Sequence, residues 1–246
     1  MISVVTSGKG GAGKSTVCAG LGCALAHRGR RVLLVDGDAG LRSLDVMLGI
    51  AGTAVYDIAD VLSGDCQPGN AIYPSPICPN VFVLPAPVEL EKLASPTDMA
   101  SVCRGFSRYY DEVIIDCPAG IGHGFETAVA GADRAFVVTT PDMVCARDAQ
   151  IIARILRKRN IPARLIINRL RPEPITRGLM PDIDELIDTA GLQLIGVLPE
   201  DEDVAVANAY GKPLPVESTA GTCFANIAGR YVGDDIPLYD FKRKRS

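Results

Sequence analysis

The chain has 246 residues, with 25 Lys and Arg against 29 Asp and Glu, eight Cys, no Trp and 48% hydrophobic residues. That length suffices for a sizeable core, and a net charge of −4 with ordinary charged content excludes a disordered chain and a nucleic-acid binder that is basic all over. Eight cysteines without a CxxC pair, and a first strand that starts at the N-terminus with no leader ahead of it, read as buried free thiols in a reducing cytoplasm.

In chain order, short β-branched runs alternate with longer helical stretches. The strand-like runs are residues 2–6, 31–35, 81–84, 112–116, 134–140, 163–168 and 192–198. Most are continuously apolar, as strands covered on both faces should be. The helical stretches are 15–27, ending near Gly29, then 142–159, 182–190 closing at Gly191, and 220–232. In 142–159, Val144, Ala149, Ile151, Ile152, Ile155 and Leu156 form the expected apolar side, and Arg154, Arg157, Lys158 and Arg159 the wet face. Residues 68–87 hold six prolines and predict surface loop around a short strand. No apolar run approaches the ~18 residues of a membrane span. The alternation predicts one α/β domain: a single doubly wound, mostly parallel sheet flanked by helices, over residues 1–238, with a short basic tail at 239–246.

Directly after the first run comes Ser7-Gly8-Lys9-Gly10-Gly11-Ala12-Gly13-Lys14-Ser15-Thr16, then a helix. Residues 8–15 satisfy GxxxxGK(S/T) in the strand–loop–helix context that the motif requires. Glycines let backbone N–H groups turn inward around phosphate oxygens, and the helix N-terminus adds its positive end. Lys14 is expected at the β- and γ-phosphates of a nucleotide, and the Ser15 hydroxyl on Mg²⁺. A second lysine, Lys9, is not needed for this. Either it meets phosphate charge, including that of a nucleotide in a second subunit, or it is a solvated loop residue.

These residues resemble the deviant Walker A motif of the MinD/ParA family of P-loop ATPases, in which the second lysine is the signature. The resemblance continues through Asp36-Gly37-Asp38-Ala39-Gly40-Leu41-Arg42-Ser43-Leu44-Asp45, Asp116-Cys117-Pro118-Ala119-Gly120-Ile121, Asn168-Arg169 and Leu198-Pro199-Glu200-Asp201. It spans roughly residues 1–238, and the stretches at 40–45 and 116–121 are similar to the septum-positioning branch rather than the plasmid-partition branch. It implies an ATPase that binds ATP with Mg²⁺, dimerises, and hydrolyses ATP to ADP and phosphate. Lys9, Lys14 and Asp38 are then the catalytic residues, with Asp38 orienting the attacking water. Ser15, Asp36 and Asp116 serve the metal. Residues 8–16, with Asn168 at the adenine edge, Arg169 and Pro199, contact the nucleotide. A simple capping role for Asp36 and Asp38 at the turn before 41–48 stays open.

The implied partners are a second copy of the chain, an inhibitor of septum formation and a topological regulator. The alternative keeps the ATPase but changes the cargo to segregated DNA, a flagellum or another organelle; a further one is a non-hydrolysing nucleotide-binding scaffold. DNA contact would fall on Arg154, Arg157, Lys158 and Arg159. Two departures from the family stand out. Gly122 replaces the usual glutamate after Ile121, with His123 beside it as a solvated loop residue. The end of the chain is too short for the family's amphipathic membrane helix, so peripheral contact with an anionic membrane rests on Phe241 and four basic residues. Burial of Phe241 is worth about 1.5–3 kcal/mol, and each basic residue about 1 kcal/mol.

Overall fold

A computed structural model describes residues 1–88 and 95–241. Every apolar run found above becomes a strand. β1 (Ile2–Thr6), β2 (Val32–Asp36), β4 (Val81–Leu84), β5 (Glu112–Asp116), β6 (Arg134–Thr139), β7 (Ala163–Leu170) and β8 (Leu194–Pro199) run parallel, and the short β3 (Tyr73–Pro74) adds antiparallel to β4. The order across the sheet is β3-β4-β2-β5-β1-β6-β7-β8. The chain therefore turns to one side of β1 for β2 and to the other for β6. That reversal opens a crevice at the carboxyl edge of the central strands, where doubly wound folds bind ligands.

The helices are α1 (Lys14–His27), α2 (Ser43–Met47), α3 (Ile58–Ser63), α4 (Pro96–Phe106), α5 (His123–Val129), α6 (Met143–Lys158), α7 (Pro172–Thr176), α8 (Ile183–Ala190), α9 (Glu202–Tyr210) and α10 (Thr219–Val232). Because strand side chains alternate, each central strand feeds two cores. Val4, Leu33, Ile115 and Val137 face one layer with Met99, Phe125 and Ile152. Val5, Leu34, Ile114 and Phe136 face the other with Val17, Leu21 and Phe224. This double burial is why the strands read as continuous apolar runs.

The sequence-based boundaries differ from these by one or two residues at most ends. The proline-rich stretch is more ordered than a loop. It holds a 3₁₀ turn at Pro68–Ala71 and the edge strand β3, where Pro74 sits on the sheet's rim. Helices α2, α3, α4, α5, α7 and α9 were not legible from periodicity, since several are five to nine residues long and are held by caps. Asp57 and Asp60, for example, form a capping box that starts α3. The apolar side read for 142–159 needs correction at two positions: Val144 and Ile151 are 62% and 47% exposed, and the buried face of α6 runs through Cys145, Ala146, Ala149, Ile152, Ala153 and Leu156.

Six of the eight cysteines are buried, Cys23 and Cys66 are half-buried, and all are free. The end of the chain also departs from expectation. Tyr239 and Phe241 stack edge-to-face, with centroids 5.0 Å apart, and Phe241 packs against both cores. The basic residues 242–245 lie outside the described residues.

Candidate functional site

The loop that leaves β1 is shaped by contacts that exclude side chains. A Cβ on Gly8 would lie 2.5 Å from the Asp148 Cβ of α6, and one on Gly13 only 2.2 Å from the Asn168 amide nitrogen. Gly13 also caps α1 in the left-handed region, φ 90°. No side chain caps that helix and no acidic residue lies in its first turn, so its free N–H groups are left to an anion. Ser7 Oγ donates to the Lys9 carbonyl at 2.7 Å, and Asn168 Nδ2 to the Ala12 carbonyl at 2.9 Å, bracing the loop from within. Asn168 is buried within β7 and not at its end, and one of its amide hydrogens is already committed to the loop.

Three acidic residues gather at the strand ends beside Lys14, which is itself buried. Asp36 and Asp116 are directly paired across β2 and β5. Asp36 accepts from the Asp38 N–H at 3.0 Å and from the Leu44 N–H at 3.4 Å, tying the following segment to the sheet. Burial, and then the charge of Asp116, pushes its carboxyl up to about 7. Asp116 is raised to about 6, first by burial; the Ser15 hydroxyl and the Lys14 charge pull the other way and Asp38 adds repulsion. Half-buried Asp38 is raised by burial and lowered by Lys14.

Both Asp116 oxygens are buried without a hydrogen-bond partner of ordinary geometry. Asp36, by contrast, accepts two backbone N–H groups, and the donor set of Asp116, Ser15 and nearby Asp36 fits Mg²⁺. Among the described residues no three His, Cys, Asp or Glu side chains form a cage for a metal. Mg²⁺ takes one or two protein ligands and draws the rest from phosphate and water.

Lys9 is exposed, and its charge acts on Asp142 and Cys145 at the start of α6. It stands at the rim, while Lys14 stands inside. Thr16 is held by Asn208 of α9, whose Nδ2 donates to its Oγ1 at 3.0 Å. Nothing in the spacing of residues 192 apart signals that bond. Arg169 is exposed and left-handed, φ 59°. Pro199 ends β8 opposite Leu170, next to the ion pair of Arg171 and Glu200. Beside it, Pro172, Thr219, Tyr239 and Phe241 help line a cavity of about 320 Å³. The two aromatics belong to the stretch expected as tail, yet both pack against the domain. His123 opens α5 from an exposed position instead of lying in a loop, and Arg159 of the basic stretch pairs with Glu126.

Together these parts supply a cradle for phosphate, a lysine inside it, a cation position facing it and a half-buried carboxylate at its edge. That is the equipment of phosphoryl transfer to water, in which catalysis is positioning plus electrostatic stabilisation.

Residues 3–214 match the family model described as the CobQ/CobB/MinD/ParA nucleotide binding domain. The septum site-determining protein MinD of Synechocystis is 43% identical over 98% of this chain and 92% of its own length. A chain of the MinC:MinD cell division protein complex from Aquifex aeolicus superposes with a TM-score of 0.91 at 33% identity, covering 97% of this chain and 98% of that one. The septum site-determining protein MinD from Pyrococcus horikoshii, complexed with Mg-ADP, does so with a TM-score of 0.86 at 31% identity, over 94% and 96% of the two chains.

Proposed function

We infer the function from one premise: the chain belongs to the CobQ/CobB/MinD/ParA nucleotide-binding family. It is an ATP hydrolase with ATP and Mg²⁺ as cofactors, an ATP-driven switch in septum site determination that works with an inhibitor of division. The observation that carries the site assignment is the unpartnered, buried Asp116 carboxylate facing Lys14 and Ser15 at the phosphate loop.

In this reading residues 8–16 wrap the phosphates with backbone N–H groups, and Lys14 neutralises them from inside. Ser15 and Asp116 hold Mg²⁺, with Asp36 fixing the segment that carries Asp38. Bound there, Mg²⁺ offsets the charge that develops on the phosphoryl oxygens. Asp38 orients the attacking water. Asn168, Arg169 and Pro199 surround the base, Asn168 with its amide oxygen still free to accept. No covalent intermediate is required.

Lys9 acts in trans. It is exposed at the rim, and the loops that leave β2 and β5 present Leu41 and Ile121 at 70% and 54% exposure, apolar surface suited to a second copy. Two ATP-loaded subunits close face to face, and each Lys9 reaches the partner's phosphates like an arginine finger. Lys9→Ala should therefore leave nucleotide affinity within a few-fold and lower dimer-dependent phosphate release on the order of 10³-fold. Phosphate release at the parent rate would refute the trans role.

No helix among the described residues is long and apolar enough to cross a membrane. Peripheral contact, if it operates through the tail, draws on the basic residues 242–245 at about 1 kcal/mol each, because Phe241 is engaged with Tyr239 and the cores. One tail is then weak and two in a dimer gain by avidity. Pelleting with anionic liposomes should require ATP. Pelleting that is equal without nucleotide contradicts this.

A further inference from the structure

On the face of the sheet that carries α1, away from the carboxylates, a cavity of about 160 Å³ opens between α1, α2, α9 and α10. It is lined mainly by apolar side chains, Met47 and Phe224 among them, and two cysteines face it: Cys23 from α1 and Cys78 from the loop before β4. They face the same cavity and their side chains interact, although 55 positions separate them in the chain. Both are free. The Cys78 backbone is fixed: its N–H donates to Ser75 Oγ at 3.3 Å, and its carbonyl accepts from the Val81 N–H at 3.2 Å.

We propose that Cys23 and Cys78 form a dithiol modification site that takes a low-molecular-weight disulfide, entering through the cavity, and closes to an intramolecular disulfide. The other cysteines lack this combination. Cys66 is half-buried with no thiol partner among the described residues, and Cys18, Cys103, Cys117, Cys145 and Cys223 are buried and do not line the cavity.

The two thiols differ in a way that sets the order of events. The hydrogen bond to Cys78, followed by burial, holds the Cys23 thiol well up, and the same hydrogen bond draws Cys78 down. Cys78 is thus the first nucleophile. Its thiolate attacks one sulfur of the entering disulfide, forms a mixed disulfide and expels one thiolate, which takes up a proton. Cys23 then loses its proton, attacks the Cys78 sulfur and expels the second thiolate. Two protein thiols become one disulfide, one small disulfide becomes two thiols, and two electrons pass from the protein to the small molecule.

The bond would join two segments that reach the phosphate site from different directions. α1 starts at Lys14, and Thr16 lines the same cavity. The Cys78 loop carries Ser75, whose Oγ donates to the Leu48 carbonyl at 2.9 Å just after α2, the helix that follows Asp38. Oxidation would therefore clamp the helix of the phosphate loop to the support of the segment that holds Asp38.

The test uses the full chain and oxidised glutathione, with free thiols then blocked by iodoacetamide and peptides mapped by mass. The expected product is a Cys23–Cys78 linked peptide lighter by two hydrogens, reversed by dithiothreitol, while Cys66 carries a glutathione adduct. In Cys23→Ser the link should vanish and an adduct should persist on Cys78. In the parent chain, Cys23 and Cys78 found alkylated, or holding stable adducts in place of the link, would overturn the proposal whatever the variant does. The readout is independent of ATP hydrolysis.

Discussion

The two ends of one strand make opposite use of a buried carboxylate. At the amino end of β5, Glu112 accepts from the Tyr231 hydroxyl at 2.5 Å, and that hydroxyl also meets Ser3 Oγ at 3.0 Å. Arg134 approaches Glu112 at 3.9 Å and lies 3.5 Å from the centre of the Tyr231 ring. At the carboxyl end, four residues on, neither oxygen of Asp116 has a hydrogen-bond partner of ordinary geometry, only the nearby Ser15 hydroxyl and Lys14 charge, and a like charge lies beside it on β2. The first end is a closed network that holds α10 to the sheet. The second gathers like charges in a buried place, which costs stability and suits a cation and phosphate. A buried polar group fully satisfied is structural; one left unsatisfied marks a site.

This contrast can be broken by substitution. The largest effect should come from Asp116→Ala, which removes the metal position: phosphate release should fall on the order of 10²–10³-fold, with the far-ultraviolet circular dichroism unchanged. Near-parent release would mean that Asp116 does not hold the metal. Glu112→Ala should do the reverse. It takes the carboxylate away from the Tyr231 hydroxyl and from Arg134, leaving them Ser3 and, for Arg134, the Tyr231 carbonyl, and should cost about 3 kcal/mol in urea unfolding, while phosphate release per folded molecule stays within about twofold of the parent.

A third variant, Asp116→Asn, sharpens the electrostatics. Because burial, with the charge of Asp38 acting on Asp116 and that of Asp116 on Asp36, holds the two carboxyls at about 6 and about 7 against an ordinary 3.8, they retain protons longer folded than unfolded. Their contribution to the stability of the nucleotide-free chain is therefore full below about pH 4 and is lost as pH rises toward 7. Asp116→Asn should accordingly be no more stable than the parent at pH 4 and more stable by about 1–3 kcal/mol at pH 8. A difference that shrinks with rising pH has the wrong sign and would place the strain elsewhere. The smallest effect expected is that of Tyr231→Phe. It deletes one hydroxyl from the closed network and should cost about 1–2 kcal/mol, with no change in hydrolysis.

Much of the site was legible before folding was considered. The phosphate loop is contiguous, so its glycines, Lys14 and Ser15 could be read from spacing alone. Asp36 and Asp116 could be placed because each ends an apolar run, and a parallel sheet puts such ends on one edge. Their direct pairing was not legible, since register between β2 and β5 depends on which strands become neighbours. The same limit hid the bond from Asn168 to the Ala12 carbonyl, the hold of Asn208 on Thr16, the exposure of Val144 and Ile151, and the contact between Cys23 and Cys78. Phe241, with aromatic and basic neighbours, looks like a membrane anchor in one dimension. In three it packs on Tyr239 and the cores.

The sequence by itself determined the element pattern, the anion-binding loop and the chemical types that face it, because backbone preference, side-chain alternation and motif spacing act over a few residues. Only the tertiary structure decided which buried charges are neutralised and which are left waiting. Hydrogen-bond partners and like-charge neighbours come from distant segments, and a low-dielectric interior turns their presence or absence into the difference between a brace and a binding site.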